Sequence, residues 1–290
     1  MSVGQRVGSP RFTLSRAGGQ SDACWTFGRT RPNARADASL RKFEIAGFSP
    51  IISAIKWETS FKGDSRPMPT EKEGRAPVAL EQRDVSADER MFSPSVARNS
   101  APILAVLKRV LPTHGAVLEI GCGTGEHAVC FAGAMPNLTW QPSDPDADAR
   151  ASTSSWIKFA GLENVLAPRD IDVCSGQWGV GQTKHFDAIV SINMIHIAPW
   201  AASLGLFAGA GRLLRAGGLL VLYGPFMRDG AHNAPSNAAF DVALKERNPS
   251  WGVRDIADLE HVGEAAGLNL RETIEMPTNN MLLVFSTGSA

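Results

Sequence analysis

Three glycines at alternate positions, Gly121, Gly123 and Gly125, follow the run Val117-Leu118-Glu119-Ile120. Glycine lets a backbone turn tightly and approach a ligand where any Cβ would collide. A helix starting just after such a loop aims its positive end and unpaired N–H groups at the enclosed space, a cradle for an anionic group. Two acids accompany the loop. Glu119 stands two residues before the first glycine, and Asp144 lies about 20 residues beyond the second. Asp144 carries enough acceptor positions to take both hydroxyls of a ribose. Farther on, His196 follows another apolar run. An imidazole there can take a proton from a hydroxyl, thiol or amine near neutral pH; equally, it can pack beneath Pro199-Trp200 and hydrogen-bond a carbonyl. Tyr223, the chain's only tyrosine, ends a further apolar run, where it can orient a ligand or fill a pocket wall.

The loop admits two cofactor chemistries. Gly123-Thr124-Gly125-Glu126-His127-Ala128 satisfies the G-x-G-x-x-G/A dinucleotide pattern, and Asp144 has the expected offset for a ribose. An NAD(P)-dependent oxidoreductase is therefore one reading. Glu119 separates it from the other. An acid at the end of this strand suits the cationic amino acid group of S-adenosylmethionine and repels a pyrophosphate. The balance falls on S-adenosylmethionine and methyl transfer, with a non-catalytic cofactor-binding scaffold as a third class.

These residues need elements to hold them. Ser100 with Pro102 in the first turn marks a helix carrying Ile103, Leu104, Leu107 and Leu111 on one face. Short apolar runs at 116–120, 138–141, 165–171, 186–192 and 219–223 alternate with helical stretches at 127–134, 152–160, 204–214 and 255–266. A strand pair, 268–276 and 281–285, closes the series around Pro277-Thr278-Asn279-Asn280. Such alternation predicts a three-layer α/β domain with a mainly parallel sheet. Ligands in such sheets sit beyond the carboxyl ends of the strands, which selects the loops 121–126, 142–146, 172–174, 193–200 and 224–237. The last of these reads as a lid.

Composition narrows the partners. Formal net charge is zero over 290 residues, with 43% hydrophobic and 20% charged. Basic residues exceed acidic ones by about six before Met68, and the balance reverses after it. The folded part is thus mildly acidic, without a basic stripe for nucleic acid. No apolar run approaches the ~20 residues that cross a bilayer, and Cys24, Cys122, Cys130 and Cys174 form no C-x-x-C pair and no zinc-like spacing with histidine. A disulfide framework is not expected in a chain able to build a large core. The expectation is a cytoplasmic protein with a small-molecule partner and no metal. Residues 1–90, rich in Arg, Ser, Gly, Pro and Ala, read as a disordered extension or as sequence upstream of the true start, and 91–290 as the folded domain.

Glu119-x-Gly121-x-Gly123-x-Gly125 resembles the first motif of class I S-adenosylmethionine-dependent methyltransferases, and Gly211-Arg212-Leu213-Leu214-Arg215-Ala216-Gly217-Gly218 their turn before the fifth strand. More narrowly, Ser93-Pro94-x-x-x-Arg98-Asn99, Trp140-Gln141-Pro142-Ser143-Asp144, Ile192-Asn193-Met194-Ile195-His196-Ile197-Ala198-Pro199-Trp200 and Met276-Pro277-Thr278-Asn279-Asn280 are similar to the family called domain of unknown function 938, which includes methyltransferase-like protein 26. Cys122 stands where that family is expected to carry serine. The resemblance implies a Rossmann-like, seven-stranded, mainly parallel sheet whose last strand is antiparallel. It also implies roles. Glu119 would lie near the methionine ammonium, Asp144 would hold the ribose, Asp172 would reach the adenine amino group, and Asn193 would sit beside the methionine part. For Asp172 a turn cap, and for Asn193 a purely structural place in its turn, are the alternatives. The acceptor is not implied.

Overall fold

The structure, a computed structural model, describes residues 83–180 and 185–288. Most of the stretch read as an extension lies outside the described residues. Six strands form the central sheet: β1 Gly115–Ile120, β2 Leu138–Ser143, β3 Phe186–Ile192, β4 Leu214–Gly224, β5 Leu268–Met276 and β6 Asn280–Thr287. Their spatial order is β5-β6-β4-β3-β1-β2. β1, β2, β3 and β4 pair in parallel, while β6 runs antiparallel to both β4 and β5. The mainly parallel sheet and its antiparallel last strand are as expected.

The expected count of seven strands is corrected. Residues 165–171 make only two isolated parallel bridges to β2, Trp140 with Val165 and Ser143 with Arg169. Two prolines explain the shortfall. The ladder starts regularly, with Trp140 N–H on the Asn164 carbonyl and Leu166 N–H on Trp140. Its next donors would be residues 142 and 168, both proline and without an N–H. Pairing resumes only when Arg169 N–H reaches the Pro142 carbonyl and Asp144 N–H reaches Arg169.

Helices cover both faces: α1 Pro94–Val110, α2 Glu126–Ala134, α3 Ala147–Ala160, α4 Trp200–Leu213, α5 Pro235–Arg247 and α6 Ile256–Ala265. Strand alternation divides the core in two. Leu118, Ile120, Ile189, Leu222 and Phe285 pack with Phe207 of α4 and Leu259 of α6. Val117, Val190, Val221 and Tyr223 pack with Ile103 and Leu107 of α1 and Phe131 of α2. Tyr223 therefore shares a sheet face with Glu119.

Helix starts differ from expectation where proline decides. α1 begins at Pro94 with extended Ser93 as its cap, two turns before Ser100. Pro94 is pre-set for a first helical position, whereas Ser100 lies inside the helix with its hydroxyl on the Val96 carbonyl, 2.6 Å. α3 begins at Ala147 because the Asp146 side chain caps it by accepting from Asp148 N–H. The segment read as a lid is ordered into two short strands, Phe226–Arg228 and Ala231–His232, leading into α5. Cys122 and Cys130 are free thiols. Among the described residues no helix is long and apolar enough to cross a membrane.

Candidate functional site

The carboxyl ends of β1 and β2 build one cluster. Gly121, Gly123 and Gly125 have φ of 74°, 56° and 87°, left-handed values that side chains rarely adopt. Their surroundings differ. A Cβ at Gly125 would lie 2.6 Å from the Thr153 Cα of α3, so this glycine brings α3 against the loop. A Cβ at Gly123 would meet nothing nearer than the Arg83 guanidinium at 3.7 Å. Gly125 then caps α2, whose first N–H groups face the loop without a side-chain partner.

β2 braces this loop. The Ser143 carbonyl accepts from the N–H of both Gly121 and Cys122, each at 2.9 Å, and its hydroxyl donates to the Glu119 carbonyl at 2.6 Å. Asp144 accepts from Gly123 N–H with one oxygen and from Asp146 N–H with the other, each at 2.9 Å. A carboxylate has about four acceptor positions, so half of them remain for a ligand. Burial, only partly offset by these hydrogen bonds, raises the Asp144 pKa. Beneath it, Glu119 is buried and accepts from the Trp140 indole N–H at 2.7 Å. Burial, with the Asp144 charge adding to it, lifts Glu119 to about 7, against the indole hydrogen bond. Two buried acids under a glycine loop make a place for a cation.

The remaining expected residues fall in three places. Asp172 caps its own turn by accepting from Cys174 N–H at 2.9 Å, the alternative weighed for it above. Asn193 has φ of 59° and donates its N–H to the Tyr223 carbonyl at 2.8 Å, which ties the end of β3 to that of β4. His196 is 1% exposed, and neither ring nitrogen makes a well-formed hydrogen bond among the described residues. Its ring meets Phe226 edge-on at 5.0 Å and lies where a Gly224 Cβ would go, 2.3 Å from Nε2. Burial, with the Arg254 charge, lowers its pKa to about 3, so it is neutral at physiological pH. The Gly252 backbone acts on the ring as a hydrogen-bonding neighbour and raises the pKa against these causes, in line with the packing alternative.

Tyr223 is on the other face of the sheet. Its phenol oxygen accepts from Asn280 Nδ2 at 3.0 Å. Burial raises its pKa, while Asn280, the nearby Asn99 side chain and the Arg98 charge lower it. Asn99 Oδ1 in turn lies 2.8 Å from His127 Nε2. The two expected catalytic residues thus occupy opposite sides of β4.

Sequence reasoning missed three contributors. Trp140 holds Glu119, Thr153 meets Gly125, and Glu126 joins α1 to the loop by accepting from Ser93 N–H at 2.8 Å and the Thr124 hydroxyl at 2.9 Å. The β1–β2 register, pairing Val117 with Trp140, was the one available signal, since Glu119 lies two residues farther on the same face. Two cavities of about 360 and 290 Å³ lie elsewhere, the larger lined by Ala116, Thr139 and Phe186 at the amino ends of their strands. Parallel sheets bind ligands at the opposite end, where the helix N-termini converge, and the acids and glycines are there.

Solved structures share this fold. An O-methyltransferase family protein from Burkholderia thailandensis matches with a TM-score of 0.58 and 18% identity over 68% of this chain and 58% of its own. The S-adenosylmethionine-dependent methyltransferase SibL matches at 0.55 and 22%, covering 67% and 56%. CalO1, a methyltransferase of calicheamicin biosynthesis solved in its SAH-bound form, matches at 0.53 and 20%, covering 66% and 54%. The chain thus spans under three fifths of the length of each, and at these identities the likeness establishes the fold. A family model described as "Protein of unknown function (DUF938)" matches residues 90–287. With the glycine loop, the β2 acid and the Asn193–Trp200 stretch all inside that range, the chain belongs to the DUF938 family.

Proposed function

We propose that this protein is an S-adenosylmethionine-dependent methyltransferase acting on a small-molecule acceptor. One observation carries the reading: two buried acids, Glu119 and Asp144, lie under a loop of three left-handed glycines that opens at the N-terminus of α2. The residues fit the cofactor on structural grounds. Gly123 leaves open the space a Cβ would take, and Asp144 keeps acceptor positions in hand. The nearby methyltransferase structures support it by their fold and their printed names.

When bound, S-adenosylmethionine supplies an electrophilic methyl group. The chain's own residues do the rest. Gly121, Gly123 and Gly125 give close backbone approach, and the α2 N-terminus offers N–H donors to a carboxylate. Asp144 takes ribose hydroxyls, and Glu119 supplies negative charge toward an ammonium. Asp172 has a second carboxylate oxygen for an adenine amino group while it caps its turn, and Asn193 fixes the loop after β3. Tyr223 orients the acceptor. His196, neutral and buried against Gly224, is the candidate to accept a proton, although its low pKa makes it a weak base. The folded domain comprises 91–290.

The dinucleotide pattern favours NAD(P) as a second reading. Charge opposes it: Glu119, with a pKa of about 7, is about half ionised at neutral pH, and its ionised form ~4 Å from a pyrophosphate meets repulsion of about 4 kcal/mol at an effective dielectric of ~20. Calorimetry with S-adenosylhomocysteine and with NADH decides. Binding of S-adenosylhomocysteine alone is expected; binding of NADH alone overturns the proposal.

A further inference from the structure

Strand β5 changes face partway along. Leu268 and Leu270 pack on the side of α4 and α6, whereas Ile274 and Met276 pack on the side of α1. Strict alternation would put all four on one face. A bulge makes the switch: Leu270 pairs with Phe285 and Glu272 with Val284, which leaves Arg271 as an extra residue opposite β6. Glu272 is thereby turned toward α1, where its two oxygens accept from both terminal nitrogens of Arg109 at 2.9 and 3.1 Å. Arg271 and Glu272, neighbours that alternation would set on opposite faces, line one cavity together.

That cavity measures about 290 Å³, at the lower end for small-molecule sites. It lies against the antiparallel part of the sheet, with Leu219 of β4 and Val284 of β6 as apolar lining and Arg109 and Val110 of α1 beside them. The start of α1 meets the glycine loop through Ser93 and Glu126. Arg109 comes 16 residues later, roughly 24 Å along the helix. Two guanidinium groups and one carboxylate leave one net positive charge. Arg109 and Glu272 satisfy each other, and Arg109 also offsets the negative C-terminal end of α1. Among the described residues the Arg271 guanidinium has neither an ion pair nor a hydrogen bond. A guanidinium fork matches a carboxylate in shape as well as charge.

We propose that this cavity is a second ligand site, separate from the glycine loop, for a small monoanion with an apolar body. Its carboxylate pairs with Arg271, and its body lies over Val110, Leu219 and Val284. The site stands independently of the methyltransferase reading.

The test uses the full chain as wild type, Arg271→Met and Arg271→Lys, with melting curves to confirm folding; Arg271 is exposed. Protein labelled at its leucine and valine methyl groups is titrated with octanoate, octan-1-ol and acetate and followed by NMR. Octanoate is expected to shift the methyl signals of Val110, Leu219 and Val284. Octan-1-ol, with the same body and no charge, and acetate, with the charge and little body, should each bind at least tenfold more weakly. Arg271→Met should lose roughly tenfold or more in octanoate affinity and less than twofold for octan-1-ol, while Arg271→Lys keeps part of the octanoate affinity. The octanoate and octan-1-ol comparison in wild type needs no variant, so poor folding of either substitution leaves the test intact. Octanoate that leaves these three methyl groups unshifted overturns the site, as does octanoate affinity within twofold of wild type in folded Arg271→Met. Acetate binding as tightly as octanoate overturns the apolar half of the proposal.

Discussion

The glycine loop makes two glycines separable by experiment, although both are left-handed. A methyl at Gly123 meets only the Arg83 guanidinium at 3.7 Å. Its cost to the fold is the left-handed strain of an L residue, about 1–2 kcal/mol. At 2–4 °C per kcal/mol for a domain of this size, Gly123→Ala lowers Tm by roughly 2–8 °C. A methyl at Gly125 would lie 2.6 Å from Thr153 Cα, a backbone atom. That substitution adds overpacking of about 1–3 kcal/mol to the strain, for roughly 2–5 kcal/mol in all and a Tm loss of about 4–20 °C. Binding should rank the other way relative to stability. The Gly123 methyl projects into the space proposed for the cofactor, so Gly123→Ala loses about 100-fold or more in affinity for S-adenosylhomocysteine while remaining folded. Scanning calorimetry and titration calorimetry on the two variants read both quantities. Wild-type affinity in folded Gly123→Ala would refute the assignment of the loop, and wild-type stability in Gly125→Ala would refute the packing of α3 against it.

Other consequences follow from buried titratable groups. Glu119 has a folded pKa of about 7, raised above its ordinary value of 4.5. Its favourable contribution is therefore full below about pH 4.5 and is lost as pH rises through 7. Glu119→Gln keeps an acceptor for the Trp140 indole, so its stability relative to wild type should rise by up to about 3 kcal/mol from pH 4.5 to 8. Denaturant melts across that range check it, and a difference independent of pH would contradict the burial argument. His196→Leu removes two buried nitrogens that make no well-formed hydrogen bond, so the ligand-free variant should match or exceed wild-type Tm; a drop of several degrees would show that the ring's contact with the Gly252 backbone is a strong hydrogen bond. His127 and His196 both have pKa values depressed from 6.5 to about 3. Their contribution is present above pH 6.5 and declines as pH falls below it. Replacing both with leucine should flatten the stability loss between pH 6.5 and 4, as followed by urea midpoints.

Much of the molecule was local enough to read from the chain. Gly121, Gly123 and Gly125 announce a backbone conformation that hardly any other residue adopts, and the strand Phe186–Ile192 has the bounds its apolar run predicts. Alternation of short strands and helices sufficed for a mainly parallel sheet, and the Pro277–Asn280 turn for an antiparallel close. Proline defeated that reading twice. Pro94, not Ser100, starts α1, and Pro142 with Pro168 reduce the expected seventh strand to two bridges. Only the tertiary structure decided the electrostatics and the partners. Trp140 and Glu119 are 21 positions apart, Tyr223 and Asn280 57 apart. Such pairs exist because register and sheet order bring them together. Whether an imidazole near neutral pH is charged depends on how much water the fold removes from it, and for His196, which the sequence left open between base and packed ring, burial makes the ring sealed and neutral.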